Sequence, residues 1–200
     1  MKTSLALIIC AFVSSPAMAY EKGQNYAALS YAFATANIGD ETEENYPFAT
    51  SGQAFGGTIG HLSTKSLAWE LYGKSVSFKE KVATQDTSST GGGILTTTAR
   101  QSAWMIAAGG RYFLGEYFNL HAGIGLSSSK PTISTTSSNG STTQGGPGGK
   151  SSYFGLGLYG GAGVQYPFKR FDIMLDYAFH SYSQVSDTEI SLGLRFKLKP

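Results

Sequence analysis

The chain has 200 residues, a formal net charge of +2, 14% charged residues, 26 glycines, 12 tyrosines and 12 phenylalanines. That length leaves room for one domain, and the near-neutral balance argues against a nucleic-acid binder, which concentrates basic residues on one face. A glycine- and aromatic-rich chain so poor in charge suits neither a disordered polymer nor an ordinary α/β enzyme.

The N-terminus reads as a targeting segment. Lys2 supplies a positive n-region, Leu5 to Val13 a short apolar h-region, and Ala17 and Ala19 the small residues of a cleavage site. This is the pattern of a secretory signal peptide over residues 1–19, with the mature domain spanning 20–200. The apolar run falls short of the ~20 residues a spanning helix requires. Cys10 is the one cysteine, and Ile9 stands before it where a lipoprotein acceptor needs a small residue. The mature part therefore has no disulfide and no thiolate metal site.

After the signal no stretch carries eighteen consecutive apolar residues; the period is two, which is that of strands. In chain order, the apolar faces are Ala27, Leu29, Tyr31 and Phe33; Phe55, Gly57 and Ile59; then Leu67, Trp69 and Leu71. Trp104 to Tyr112 supplies the fourth, Leu120 to Leu126 the fifth, and Phe154 to Val164 the sixth, each on alternate residues. Phe171 to His180 and Glu189 to Leu198 complete eight segments. Short connections fall near 62–66, 113–117 and 167–170, and longer ones near 38–52, 79–99, 128–152 and 183–187. Alternating short turns and long loops, with an even strand count, predict a closed antiparallel up-and-down barrel with both termini on the short-turn side. Pairing Tyr166 with Phe171 puts Val164 opposite Ile173 and Gly160 opposite Tyr177, with greasy side chains on one face.

Which face meets solvent decides the class. Glu70, Lys74, Arg111, Asp172, Asp176, Glu189, Arg195 and Lys197 all share the face opposite the apolar stripe. That face also holds Ala28, Ala32, Gly109, Gly123, Gly125, Gly155, Gly157, Gly161 and Gly163, side chains too small for a soluble exterior but suited to the cramped inside of a small barrel. The stripe carries aromatics toward both strand ends: Trp69, Tyr112, Phe118, Tyr166 and Phe171 at one, and Trp104, Phe154 and Phe179 at the other. Two such girdles bound a membrane-spanning band. The expected fold is an eight-stranded transmembrane β-barrel in the outer membrane.

Over essentially its full mature length the chain resembles the OmpA/OmpX-type outer-membrane β-barrel family. The last strand, with Ser191, Gly193, Phe196 and Leu198, is similar to the terminal signal read by the barrel assembly machinery, although the chain ends in Lys199-Pro200 instead of an aromatic residue. The resemblance implies that the eight inward charges form an ion-pair network plugging the lumen. Asp176 and Arg195, on neighbouring strands, are the expected central pair, with Glu189 facing the same lumen and Glu70 and Lys74 joining them or Arg111. Expected partners are outer-membrane lipid and lipopolysaccharide, the assembly machinery and a surface ligand held by the loops.

Three chemical readings are weaker. Gly155-x-Gly157-x-x-Gly160 matches a dinucleotide fingerprint, but no helix pattern follows it, so no cofactor is expected. His61 with Ser63, His121 and His180 with Ser181 assemble no nucleophile, base and orienting acid, so no enzyme is expected. The acidic first loop, Asp40, Glu41, Glu43 and Glu44, reads as a solvated rim before it reads as a calcium site, and the Ser/Thr/Gly-rich stretch from Ser127 to Ser152 reads as mobile surface. The expected role is structural or surface interaction, with a narrow pore and a lipid A-modifying barrel as alternatives.

Overall fold

Strands account for nearly all of the regular structure. The computed structural model describes residues 21–38, 47–86, 93–137, 142–145 and 152–198. Ala17, Ala19 and the acidic first loop lie outside the described residues. The strands are β1 (Asn25–Ala36), β2 (Ser51–Leu62), β3 (Leu67–Phe78), β4 (Lys81–Asp86), β5 (Ile94–Leu114), β6 (Phe118–Ser137), β7 (Thr142–Gly145), β8 (Tyr153–Pro167), β9 (Phe171–Ser181) and β10 (Ser186–Leu198). Among the described residues no helix is long and apolar enough to cross a membrane.

Eight strands close on themselves in the order β1–β2–β3–β5–β6–β8–β9–β10, every neighbour antiparallel. The closing seam joins the first and last strands from Asn25↔Leu198 to Ala36↔Asp187. Closure leaves the wall without a free edge, so its backbone groups pair within the sheet, as a spanning structure requires. The short turns sit at one end, together with the start of β1 and the end of β10. In the β5–β6 turn Gly115 takes φ +73°, a left-handed conformation that costs glycine nothing. In the β2–β3 turn the Thr64 hydroxyl accepts from the backbone N–H of Ser66 (3.2 Å) and Leu67 (3.0 Å).

Alternation fixes what each face carries. Outward residues are apolar and open: Leu29 is 67% exposed, Phe154 73% and Leu192 60%. Inward charges are enclosed: Asp172 and Arg195 are 0% exposed and Arg111 6%. This is a soluble protein turned inside out.

Two expectations change. The β8–β9 hairpin pairs Tyr166 with Ile173, Val164 with Leu175, Ala162 with Tyr177 and Gly160 with Phe179, so Gly160 does not sit beside Tyr177. The reason is a tighter turn: Phe168 N–H bonds to the Phe171 carbonyl at 2.8 Å, leaving Lys169 and Arg170 to make the reversal. The register moves by two residues and therefore keeps every side chain on its expected face. Second, the segments taken as loops near 79–99 and 128–152 contain strand. β5 and β6 run on past the wall, pairing as far as Leu95↔Ser137, with β4 and β7 added at their flanks. Thr97 and Thr135 meet at 3.2 Å between hydroxyls. Threonine is β-branched and favours strands, which outweighed the loop-like composition.

Candidate functional site

The lumen is built in layers. At the short-turn end Asp172 faces Arg195 directly across the β9–β10 ladder, with Arg195 Nη1 3.4 Å from the Asp172 carboxylate and 2.8 Å from Gln165 Oε1. Lys197 Nζ reaches the same carboxylate at 2.8 Å and donates to the Phe168 carbonyl at 3.0 Å. The Arg195 guanidinium also lies 5.1 Å from the ring centres of Tyr26 and Phe113. Those rings pack with Leu62 and Ala68 into a small apolar seal.

The middle layer centres on Arg111. Its Nε donates to Glu70 Oε1 at 2.7 Å, Nη1 donates to Asn119 Oδ1 at 2.5 Å, and Nη1 lies 3.6 Å from Asp176 Oδ1. The Tyr26 hydroxyl donates to the same Glu70 oxygen at 2.6 Å. Asp176 is thus held by Arg111 and, at 3.5 Å, by Asn119 Nδ2. The expected Asp176–Arg195 pair does not form. Ser191 stands opposite Asp176 on β10, two pleat repeats away from Arg195, which the ladder sets against Asp172.

The upper layer gathers Lys74, His180, Asp187 and Glu189. Lys74 donates to Glu189, lies 3.1 Å from His180 Nδ1 and 3.9 Å from Asp187 Oδ1. His180 Nδ1 is 3.3 Å from Asp187, and its Nε2 is 3.1 Å from the Tyr72 hydroxyl. His180, Asp187 and Glu189 offer ligand atoms within 4.8 Å of one another, a nitrogen–oxygen set a divalent metal could use. The Lys74 ammonium is already seated among them, so the cation of this layer is the chain's own. Above it Val76, Phe78, Met105, Tyr182 and Val185 make a second apolar cluster, and burial beside Asp187 pushes the Tyr182 phenol well above its ordinary range.

Glycine makes these layers possible. A methyl group at Gly163 would overlap the Asp176 carboxylate, and one at Gly109 or Gly123 would meet the Tyr159 ring. Between the middle and upper layers lies a cavity of about 40 Å³, lined by Ala28, Ala54, Gly56, Lys74, Arg111 and Glu189. That is space for a few waters at most.

All eight charges named from the sequence face this interior, Lys197 at its lower margin. Asp187, within the connection expected near 183–187, is fully buried and belongs to β10. Tyr26, Asn119, His121, Gln165 and His180 join the network without carrying a strand charge that the alternation could single out. Extending the odd-residue parity of β10 back from Glu189 would have found Asp187. Of the terminal pattern, Ser191 and Gly193 face inward, while Phe196 (43% exposed) and Leu198 (44% exposed) face outward.

The family model of the outer membrane protein beta-barrel domain matches residues 3–197. Among solved structures, Ail, the attachment invasion locus protein of Yersinia pestis, is 15% identical over 88% of this chain and 99% of that one, with a TM-score of 0.55. Its complex with the heparin analogue sucrose octasulfate matches at 15% identity over 88% and 99%, with a TM-score of 0.54. Neisserial surface protein A is 15% identical over 87% and 97%, with a TM-score of 0.44. No curated protein matches the chain. At such identities the likeness to solved structures is one of fold. An apolar exterior of this extent is stable only against acyl chains. With the family match running over nearly the whole sequence, the chain belongs to the outer membrane protein beta-barrel domain family and is an outer-membrane protein of Gram-negative bacteria.

Proposed function

We propose that the protein is a plugged, non-conducting barrel whose task is to hold an extracellular β-sheet at the cell surface for contact with a ligand. The observation that carries this reading is the packing of the lumen: ion pairs lie in layers between two apolar clusters, and the cavity between the middle and upper layers measures about 40 Å³. What remains free to interact is the rim, where β4, β5, β6 and β7 extend as one sheet beyond the wall. Buried ion pairs this well connected hold their geometry because parting them would strand a charge in a medium that solvates it poorly.

Two measurements test the reading. In planar bilayers the folded chain gives flat traces; resolved single-channel steps favour the narrow-pore alternative instead. On intact cells, a Thr136→Cys variant is labelled by a membrane-impermeant maleimide and a Lys169→Cys variant is not; the reverse pattern overturns surface display. Sucrose octasulfate, present in the Yersinia pestis complex, is the first soluble ligand to try.

Export by a signal peptide cleaved after Ala19 and insertion by the barrel assembly machinery through Ser191, Gly193, Phe196 and Leu198 belong to the same reading. N-terminal sequencing of the mature protein tests the first, with Tyr20 as the expected first residue. No catalytic role is proposed: His61 lies at the short-turn end, bonded to Asn25 at 2.8 Å, and His180 is enclosed by the upper charge layer. Unchanged lipid A masses with and without the protein are the expected result.

A further inference from the structure

The outward flank is not uniform around the barrel. On the wall made by β2, β3, β5, β6 and β8, one row of paired residues runs Phe55, Ser75, Trp104, Ser128, Phe154. Trp104 and Phe154 touch edge to face with ring centres 6.2 Å apart. The next row toward the loops runs Gln53, Ser77, Ser102, Lys130, and is entirely polar. The step from one to the next is the step from acyl chains to head groups.

Cations stand on and just above that polar row. Lys130 is on β6, opposite Ser102; Arg100 is two residues farther along β5, opposite Thr132; and Lys79 follows β3, its N–H bonded to the Ser51 carbonyl at 2.9 Å. All three side chains are exposed. Arg100 shares its charge with Glu80 at 2.5 Å, while Lys79 and Lys130 have no ion-pair partner among the described residues. Neighbouring strands are about 4.8 Å apart, so three adjacent strands bring the cations within roughly 10 Å laterally. Two pleat steps along a strand tilted by about 40° lift Arg100 roughly 10 Å above Trp104, the depth of a head-group phosphate.

The opposite wall lacks this. At the matching height β1, β10 and β9 present Thr35, Thr188 and Phe179 in register, with no outward cation among the described residues. A cationic strip confined to one flank, mounted on an aromatic row that reaches into the acyl layer, suits a ligand with phosphates at the top and acyl chains below.

We propose that Lys79, Arg100 and Lys130 form a binding strip for the phosphate groups of a phosphorylated glycolipid in the outer leaflet. The aromatic row beneath takes the first methylenes of its acyl chains. The site lies on the lipid-facing flank at the base of the extracellular sheet, separate from the lumen, and it rests only on the chain being an outer-membrane barrel.

The test titrates the folded full chain in phosphatidylcholine nanodiscs with three probes: diphosphorylated lipid A, the same lipid A with both phosphates removed, and phosphatidylglycerol. Retention is read by native mass spectrometry. The wild type should hold diphosphorylated lipid A well above the other two probes. K79Q/K130Q should lose affinity by about 25-fold, at about fivefold for each cation near a membrane surface. A K169Q/R170Q variant, altered in the opposite turn, should bind as the wild type does. Heat-modifiability on gels confirms that each variant is folded, and K130E gives a second, stronger perturbation of one position. Equal retention of phosphate-free lipid A or of phosphatidylglycerol overturns the proposal, as does K79Q/K130Q binding within twofold of the wild type. Displacement of lipid A by soluble sucrose octasulfate, with no preference for the phosphorylated lipid, would assign the strip to soluble polyanions and also overturns it. Failure here leaves the conductance and labelling tests untouched.

Discussion

Replacing Arg111 by methionine isolates the contribution of one guanidinium to the charge network of the lumen. The wild-type side chain holds Glu70 at 2.7 Å and Asp176 at 3.6 Å, with Asn119 as a third partner. Without it Glu70 keeps only the Tyr26 hydroxyl, and Asp176 only the 3.5 Å contact from Asn119. Two enclosed carboxylates of the middle layer, Glu70 and Asp176, then have no cation between them. Breaking a buried pair in this way costs about 3–5 kcal/mol, because the surviving charge cannot recover its hydration. Neutralising Glu70 as well, in R111M/E70Q, removes half of that stranded charge. The double variant should therefore regain about 2–3 kcal/mol over simple addition of the two single losses. The assay is urea unfolding of the barrel in detergent micelles, followed by fluorescence of Trp69 and Trp104. Should R111M be too unstable to refold, R111K with the same Glu70 partner completes the cycle. A coupling energy below about 0.5 kcal/mol would refute the reasoning, since it would mean that water already solvates Glu70 and Arg111 inside the barrel.

Three further outcomes follow from the same geometry. Gly163→Val drives a side chain into the Asp176 carboxylate and should cost about 1–3 kcal/mol of unfolding free energy; D176A in the same chain should restore part of it. Tyr26→Phe deletes a 2.6 Å bond to a buried carboxylate and should lower stability by about 1.5–3 kcal/mol in the same urea titration. Leu192→Arg, at the middle of β10 on the outward face, should cost about 2–4 kcal/mol in vesicles, whereas Thr35→Arg near the upper boundary should cost no more than about 1 kcal/mol. Equal costs at the two depths would place Leu192 outside the bilayer's centre.

The pattern of the chain carries the faces of the sheet, but it is blind to any slip of two residues. Tyr166 pairs with Ile173 instead of Phe171, and no side chain changes sides, so nothing in the alternation separates the two registers. On the β9–β10 ladder a difference of four residues is equally silent in the alternation yet changes partners: Arg195 meets Asp172, and Asp176 looks across the lumen to Arg111. The Ser/Thr-rich stretches misled for a different reason. Composition averages over a window, whereas Thr97 and Thr135 are placed in strand by pairing with each other across the β5–β6 ladder. Asp187 is hidden by composition, since Ser183 to Asp187 has the make-up of a turn, though its parity matches Glu189 and Arg195.

By itself the sequence determined that this chain closes into an eight-stranded barrel with its wall charges inside, because a period of two leaves each strand only two faces and puts the eight charges of the wall segments on the same one. Only the tertiary structure decided which charges meet. Lys74 on β3 reaches Glu189 on β10, and Arg111 on β5 reaches Asp176 on β9, between strands that share no hydrogen bonds. Those contacts exist because closure folds the inner face around a centre only a few side chains wide, and no linear pattern encodes the distance across it.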